Sequence, residues 1–183
     1  MIDAIASLGS PGLCATSVVL FAVWLCSTGA LRVSFGFALG IAAVSAITLL
    51  LKLLVATPSD TLWSDDALVS QYFPSGHAAL ATAIYGSVAT AAAFSGGGRW
   101  RYLPVAALAL AIAVATARVL MRLHPVGDAL AGVAIGLIAP VATFAALARH
   151  GFPLPSPGRI LGAFMLALCI GWAVPAPVPS ILP

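Results

Sequence analysis

The chain has 183 residues, 62% of them hydrophobic and only 7% charged, and it contains no glutamate. A water-soluble domain carries about 25% charged residues and needs them for its surface, so this composition excludes a water-facing exterior. The formal net charge of +3 comes from a few arginines scattered between apolar runs, which is no footprint for a nucleic acid.

In chain order, residues 4–31, 33–51, 67–98, 102–117, 129–148 and 160–183 hold no Asp, Glu, Lys or Arg. A helix needs about 20 apolar residues to cross the hydrocarbon core. The runs are continuous rather than alternating, which favours helices over a barrel. The expected fold is an all-α integral membrane protein with about six transmembrane helices in one bundle, residues 1–183 forming a single domain. The stretch "MIDAIASLG" lacks the basic start of a signal peptide, so no cleaved leader is expected. The spans are expected at roughly 11–30, 34–56, 76–95, 103–121, 126–148 and 160–177. Only "TGALR" separates the first two, whereas "GGGRWRY" and "HGFPLPSPGR" are clear breaks. Gly36/Gly40 and Gly132/Gly136 have the spacing that lets helices approach closely in lipid. An Ala/Gly-rich composition produces such pairs equally well. Cys14, Cys26 and Cys169 lie within or beside apolar spans with no CxxC pair, and are expected to be buried and inert.

The charges set the sidedness. The turns after the first, third and fifth spans hold Arg32, Arg99, Arg101, Arg149 and Arg159. All the aspartates (Asp3, Asp60, Asp65, Asp66, Asp128) fall at the other side with Lys52, Arg118 and Arg122. The positive-inside rule assigns the arginine-only turns to the cytoplasm, so both termini and the loop 57–75 are expected outside. Trp100 and Tyr102 at one interface, and Trp63 and Tyr72 at the other, fit an aromatic belt.

The polar exceptions gather at one end of this arrangement. Lys52 ends the second span, His77 begins the third, Arg118 ends the fourth, and His124 and Asp128 begin the fifth. A charge at a helix centre costs roughly 2.5–3.5 kcal/mol on insertion scales, so intramembrane charges usually serve a function. Each has a plain explanation alone: Lys52 as a snorkelling anchor, His77 as a helix cap, Arg118 as a partner for Asp128. Five converging on one side are harder to dismiss. In "PSGH", Ser75 and Gly76 stand where a helix starts, with unpaired N–H groups and the positive end of the dipole. With Lys52 and Arg118 as cationic donors, such a site suits phosphate. His124 and Asp128 share one helix face, and a carboxylate beside an imidazole makes a nucleophile or a base. The second histidine can then donate a proton.

These residues resemble the type 2 phosphatidic acid phosphatases, the lipid phosphate phosphatases, whose motifs are K-x6-RP, PSGH and SR-x5-H-x3-D. The matches are Lys52, "PSGH" at 74–77 and "ARVLMRLHPVGD" at 117–128, so the motif core runs over 52–136. The resemblance implies that His124 attacks phosphorus to form a phosphohistidine, that Asp128 orients it, and that His77 protonates the leaving oxygen. Lys52, Ser75, Gly76 and Arg118 would hold the phosphoryl oxygens, with no metal and no cofactor. Two positions depart from the pattern. The Arg-Pro falls on Ser59 and Asp60, and the Ser before the arginine is Ala117. Ser59 and Arg122 are therefore added as candidate phosphate contacts. Relative to the family's common six-helix plan, one helix fewer precedes the first motif and one more follows the last. The implied activity is hydrolysis of a lipid phosphate at the periplasmic face of a bacterial inner membrane. An undecaprenyl diphosphate-type carrier lipid is the first candidate, then phosphatidylglycerophosphate or phosphatidic acid. The alternatives are a phosphotransferase of the same family and a non-catalytic lipid-phosphate binder or transporter.

Overall fold

The computed structural model describes residues 2–55 and 73–173. Every regular element among the described residues is helical. A short α1 (Ile2–Ser7) leads into α2 (Pro11–Ser27) and α3 (Leu31–Val55). Then come α4 (Gly76–Gly96), α5 (Leu103–Leu120), α6 (Val126–Gly136), α7 (Ile138–His150) and α8 (Pro157–Ala173). Among the described residues, four segments are long and apolar enough to cross a membrane: Leu31–Val55, Gly76–Gly96, Gly98–Leu120 and Val126–His150. Two apolar helices, α2 and α8, are shorter, at 17 residues each.

The helices fall where the apolar runs place them, with differences that local chemistry explains. The first span stops at Ser27 rather than near 30 because Gly29 takes φ 81°. The Ala30 and Gly29 amides fold back onto the Leu25 and Cys26 carbonyls, closing the helix with a left-handed glycine. The expected fifth span is two helices meeting at Leu137. Pro140 has no N–H for the Gly136 carbonyl, and its ring crowds that position. The short α1 was not anticipated, and it packs on α5.

At the centre stands α4, whose apolar window is 72% buried, against 17–28% for the other three long segments. Apart from Leu80, Ile84, Tyr85 and Val88, its run "AALATAIYGSVATAAA" is all Ala, Gly, Ser or Thr, so neighbouring backbones approach closely. Helices α2, α3, α5, α6, α7 and α8 all pack on it. The Gly132/Gly136 pair makes this contact for α6. A Cβ at Gly132 would run into the Ser75 carbonyl and approach the Ala78 Cβ to 3.0 Å, and one at Gly136 would stand 2.5 Å from the Thr82 Cβ. The Gly36/Gly40 pair does not, since among the described residues nothing lies within 4 Å of a Cβ on Gly36, and Gly40 meets only Ala139 at ordinary distance.

The outer surface is apolar: Val23, Phe35, Leu53, Val105 and Val141 are all more than half exposed. Cys26 and Cys169 belong to this surface, and only Cys14 is buried. The expectation of three buried thiols therefore fails, because a residue in a lipid-facing span need not point inward. At the turn between α4 and α5, Arg99 and Arg101 lie over the rings of Trp100 and Tyr102. Trp63 and Tyr72 lie outside the described residues.

Candidate active site

Helix direction alternates along the chain, so α3 and α5 end where α4 and α6 begin. Several contacts tie these four ends together. The Ser75 amide donates to the Asp128 carbonyl at 3.0 Å, joining the start of α4 to the start of α6. A Cβ on Gly76 would lie 3.9 Å from Thr48 Cγ2 and 4.0 Å from Lys52 Cε. His77 is within electrostatic reach of Arg118, His124 and Lys52, and Lys52 within reach of Asp128. The structure thus brings together Lys52, Ser75, Gly76, His77, Arg118, His124 and Asp128.

The turn that delivers His124 is built by its neighbours. Arg122 takes φ 53°, a left-handed position that glycine usually fills at a helix end. The Arg122 and Leu123 amides fold back onto the Val119 and Arg118 carbonyls. Pro125, extended at ψ 163°, then caps the start of α6. His124 Nδ1 comes to 3.0 Å from Asp128 Oδ2, with Asp128 fully buried. A carboxylate only accepts hydrogen bonds, so Nδ1 carries the hydrogen and Nε2 keeps the lone pair. Burial pushes the His124 imidazole below its ordinary range, and the Asp128 hydrogen bond and charge oppose that push. The cations Arg118 and Lys52 lower it further.

Around this pair, three buried donors have no acceptor among the described residues: the hydroxyls of Ser75 and Thr48, and Arg118 Nε. A buried donor without an acceptor costs about 1–3 kcal/mol. Ser75 at the start of α4, Thr48 packed beside Gly76 and Arg118 within reach of His77, with Lys52 nearby, form a set of donors that an oxyanion would satisfy. Thr48 was missed in the sequence. It stands one turn before Lys52 on α3, so the i, i+4 rule could have flagged it.

Two candidates do not join the cluster. The Arg122 side chain is exposed and is not among the charges acting on either histidine. Ser59 lies outside the described residues. Among the described residues, no group of three or more His, Cys, Asp or Glu side chains is gathered that could hold a metal ion.

The PAP2 superfamily model matches residues 33–152, from the first turn of α3 to just past α7. The chain belongs to the PAP2 superfamily. No curated protein and no solved structure matches it. The matched PAP2 region contains all of the converging residues. Membership carries phosphatase or phosphotransferase chemistry on phosphate esters, and the apolar helices fit a membrane-bound PAP2 protein.

Proposed function

We propose that this PAP2 protein hydrolyses a lipid phosphate through a covalent phosphohistidine, without a metal. The observation that carries the reading is the His124–Asp128 pair beside the three unsatisfied donors at the start of α4. The phosphoryl oxygens sit against the Ser75 hydroxyl, the α4 amides, Arg118 and Lys52. Nε2 of His124 attacks phosphorus as the ester P–O bond breaks, and His77 gives its proton to the departing oxygen. Water then attacks the phosphohistidine, His77 takes a proton from that water, and His124 is released with inorganic phosphate. Asp128 holds the ring and stabilises the charge it gains.

The protein crosses the membrane six times in this reading, α6 and α7 forming one broken crossing. Helices α2 and α8 sit at the short end of the spanning range of about 17–25 residues. The arginine-rich end faces the cytoplasm, so the site works on the outer, periplasmic leaflet of a bacterial inner membrane. An undecaprenyl diphosphate-type carrier lipid is the first substrate, followed by phosphatidylglycerophosphate and phosphatidic acid. The test is phosphate release from a panel of these lipids in detergent with EDTA present. Turnover of at least one, with a 32P-labelled protein intermediate that is acid-labile and base-stable, supports the reading. Activity that EDTA removes and magnesium restores overturns it.

A further inference from the structure

A second concavity lies away from the histidines. It is a cleft of about 710 Å³ between α5 and α7, floored by Thr82, Gly86 and Thr90 of α4. Val105 and Leu108 form one wall, Val141 and Phe144 the other, and Arg101 also lines it. The local packing explains why it opens. Pro140 sits so close on Gly86 that a Cβ there would stand 2.9 Å from its ring. This draws α7 onto α4 and α3, while α5 packs along α6. At the catalytic end, Ala78, Ala115 and Ala129 with Val119 and Val133 fill the space between α4, α5 and α6. The cleft begins beyond that plug and faces the apolar exterior, flanked by the exposed Val105, Val141 and Phe144.

Its length and its charge identify an occupant. Its floor and end on α4 run from Thr82 to Phe94, about 18 Å at about 1.5 Å per residue. That is close to half of an about 30 Å hydrocarbon core, the depth of one leaflet. Most of it lies in the half of α4 away from the catalytic groups, since Gly76–Gly96 is centred on Gly86 and of its α4 lining only Thr82 falls on the catalytic side. The turns at that end carry Arg32, Arg99, Arg101, Arg149 and Arg159, and no acidic residue among those described. Arg101 lies over the Tyr102 ring, 4.8 Å from its centre, and donates one N–H to the Tyr102 hydroxyl. The fork has further donors, which suit a phosphate. A zwitterionic headgroup would bring an amine into an end that holds only cations.

We propose that the cleft binds an acyl chain of an anionic phospholipid from the arginine-side leaflet, with Arg101 on its phosphate. This lipid is separate from the substrate. The proposal rests on the apolar exterior and the arginine end, and holds whatever reaction the histidines perform.

Native mass spectrometry of the purified full-length chain, titrated with phosphatidylglycerol or with phosphatidylcholine of the same chains, tests it. One phosphatidylglycerol is expected to bind about tenfold more tightly than phosphatidylcholine. Arg101→Ala should erase that preference, and Leu108→Trp should block both lipids by filling the cleft. Arg149→Ala, at the same end but not lining the cleft, should keep the preference. Equal binding of the two lipids by the native chain overturns the proposal, as do equal losses in Arg101→Ala and Arg149→Ala. Displacement of phosphatidylglycerol from His124→Ala by a polyprenyl phosphate would make the cleft the substrate's own tail site, and also overturns it.

Discussion

Gly9 packs directly against His77: a Cβ at residue 9 would stand 2.5 Å from the His77 carbonyl oxygen and 3.0 Å from its Cβ. The segment that carries Gly9 is pinned, because the Leu8 carbonyl accepts the Tyr85 hydroxyl at 2.7 Å. The obstacle is backbone, so neither side can yield cheaply. Gly9→Ala should therefore shift the first turn of α4. A displacement of about 1 Å at a catalytic group can cost about a hundredfold. We expect kcat for an alkyl phosphate to fall by about ten- to a hundredfold, with a smaller loss on p-nitrophenyl phosphate. Gly12, which has no such neighbour within 4 Å among the described residues, is the control, and Gly12→Ala should leave both rates unchanged. Equal losses in the two variants would mean that residue 9 does not act through His77.

The His124–Asp128 pair predicts a pH signature. A nucleophilic imidazole must be neutral, and burial holds His124 below its ordinary value while Asp128 works against that. A depressed group becomes neutral at lower pH, so the acid limb of kcat/KM should lie below about pH 6.5. Asp128→Asn removes the contribution that raises the value, so the limb should move to still lower pH. The maximal rate should drop by about 10⁴-fold, as when a triad loses its carboxylate. A limb that moves upward would mean that Asp128 does not face the nucleophile.

Much of this arrangement was legible in the sequence because the helices end where their polar residues stand. Lys52, His77, Arg118 and Asp128 mark those ends, and alternating helix direction is enough to bring them together. The break at Leu137 was overlooked because the run 129–148 is unbroken in hydropathy, although Pro140, which cannot donate to the Gly136 carbonyl, stands within it. Thr48 looked like an ordinary threonine in an apolar helix. It matters because its hydroxyl is buried beside the start of α4 with no acceptor among the described residues. Arg122 presents the opposite case. Its charge drew attention, whereas its place in the fold is a backbone conformation.

That contrast separates the cations. Arg118→Ala should cost at least 10²-fold in kcat/KM, since a charged donor to phosphate is lost from a buried site. Thr48→Val keeps the shape and removes one donor, so about a tenfold rise in KM is expected. Ser59→Ala should change activity only several-fold. Arg122→Gly should leave kcat/KM within several-fold and raise thermal stability, because a left-handed non-glycine residue costs about 1–2 kcal/mol. If Arg122→Gly instead matches the loss in Arg118→Ala, the exposed guanidinium reaches the substrate.

The arginine distribution predicts that both ends of the chain lie outside the cell membrane. Tags fused at Met1 and Pro183 should be reachable by antibody in intact spheroplasts. Protection of both until lysis would invert the protein and carry the site to the cytoplasmic leaflet.

The two histidines should differ in which substrates they govern. A nucleophile is needed for every substrate, whereas a general acid matters in proportion to how poor the leaving group is. His124→Ala should therefore abolish turnover of all phosphates. His77→Ala should reduce turnover of an alkyl phosphate by about 10²–10⁴-fold, the usual worth of general acid help, because the leaving alkoxide needs a proton. The same variant should keep far more activity on p-nitrophenyl phosphate, whose leaving group is stable without one. A diphosphate lipid should fall between them. Steady-state rates on the three substrates decide the matter. Equal losses on all three would make His77 a ground-state phosphate ligand, a role compatible with its place one residue past Gly76 and within reach of Lys52 and Arg118. Measurable turnover by His124→Ala would reverse the two roles, and Asp128, held at 3.0 Å from His124, would then orient the acid rather than the nucleophile.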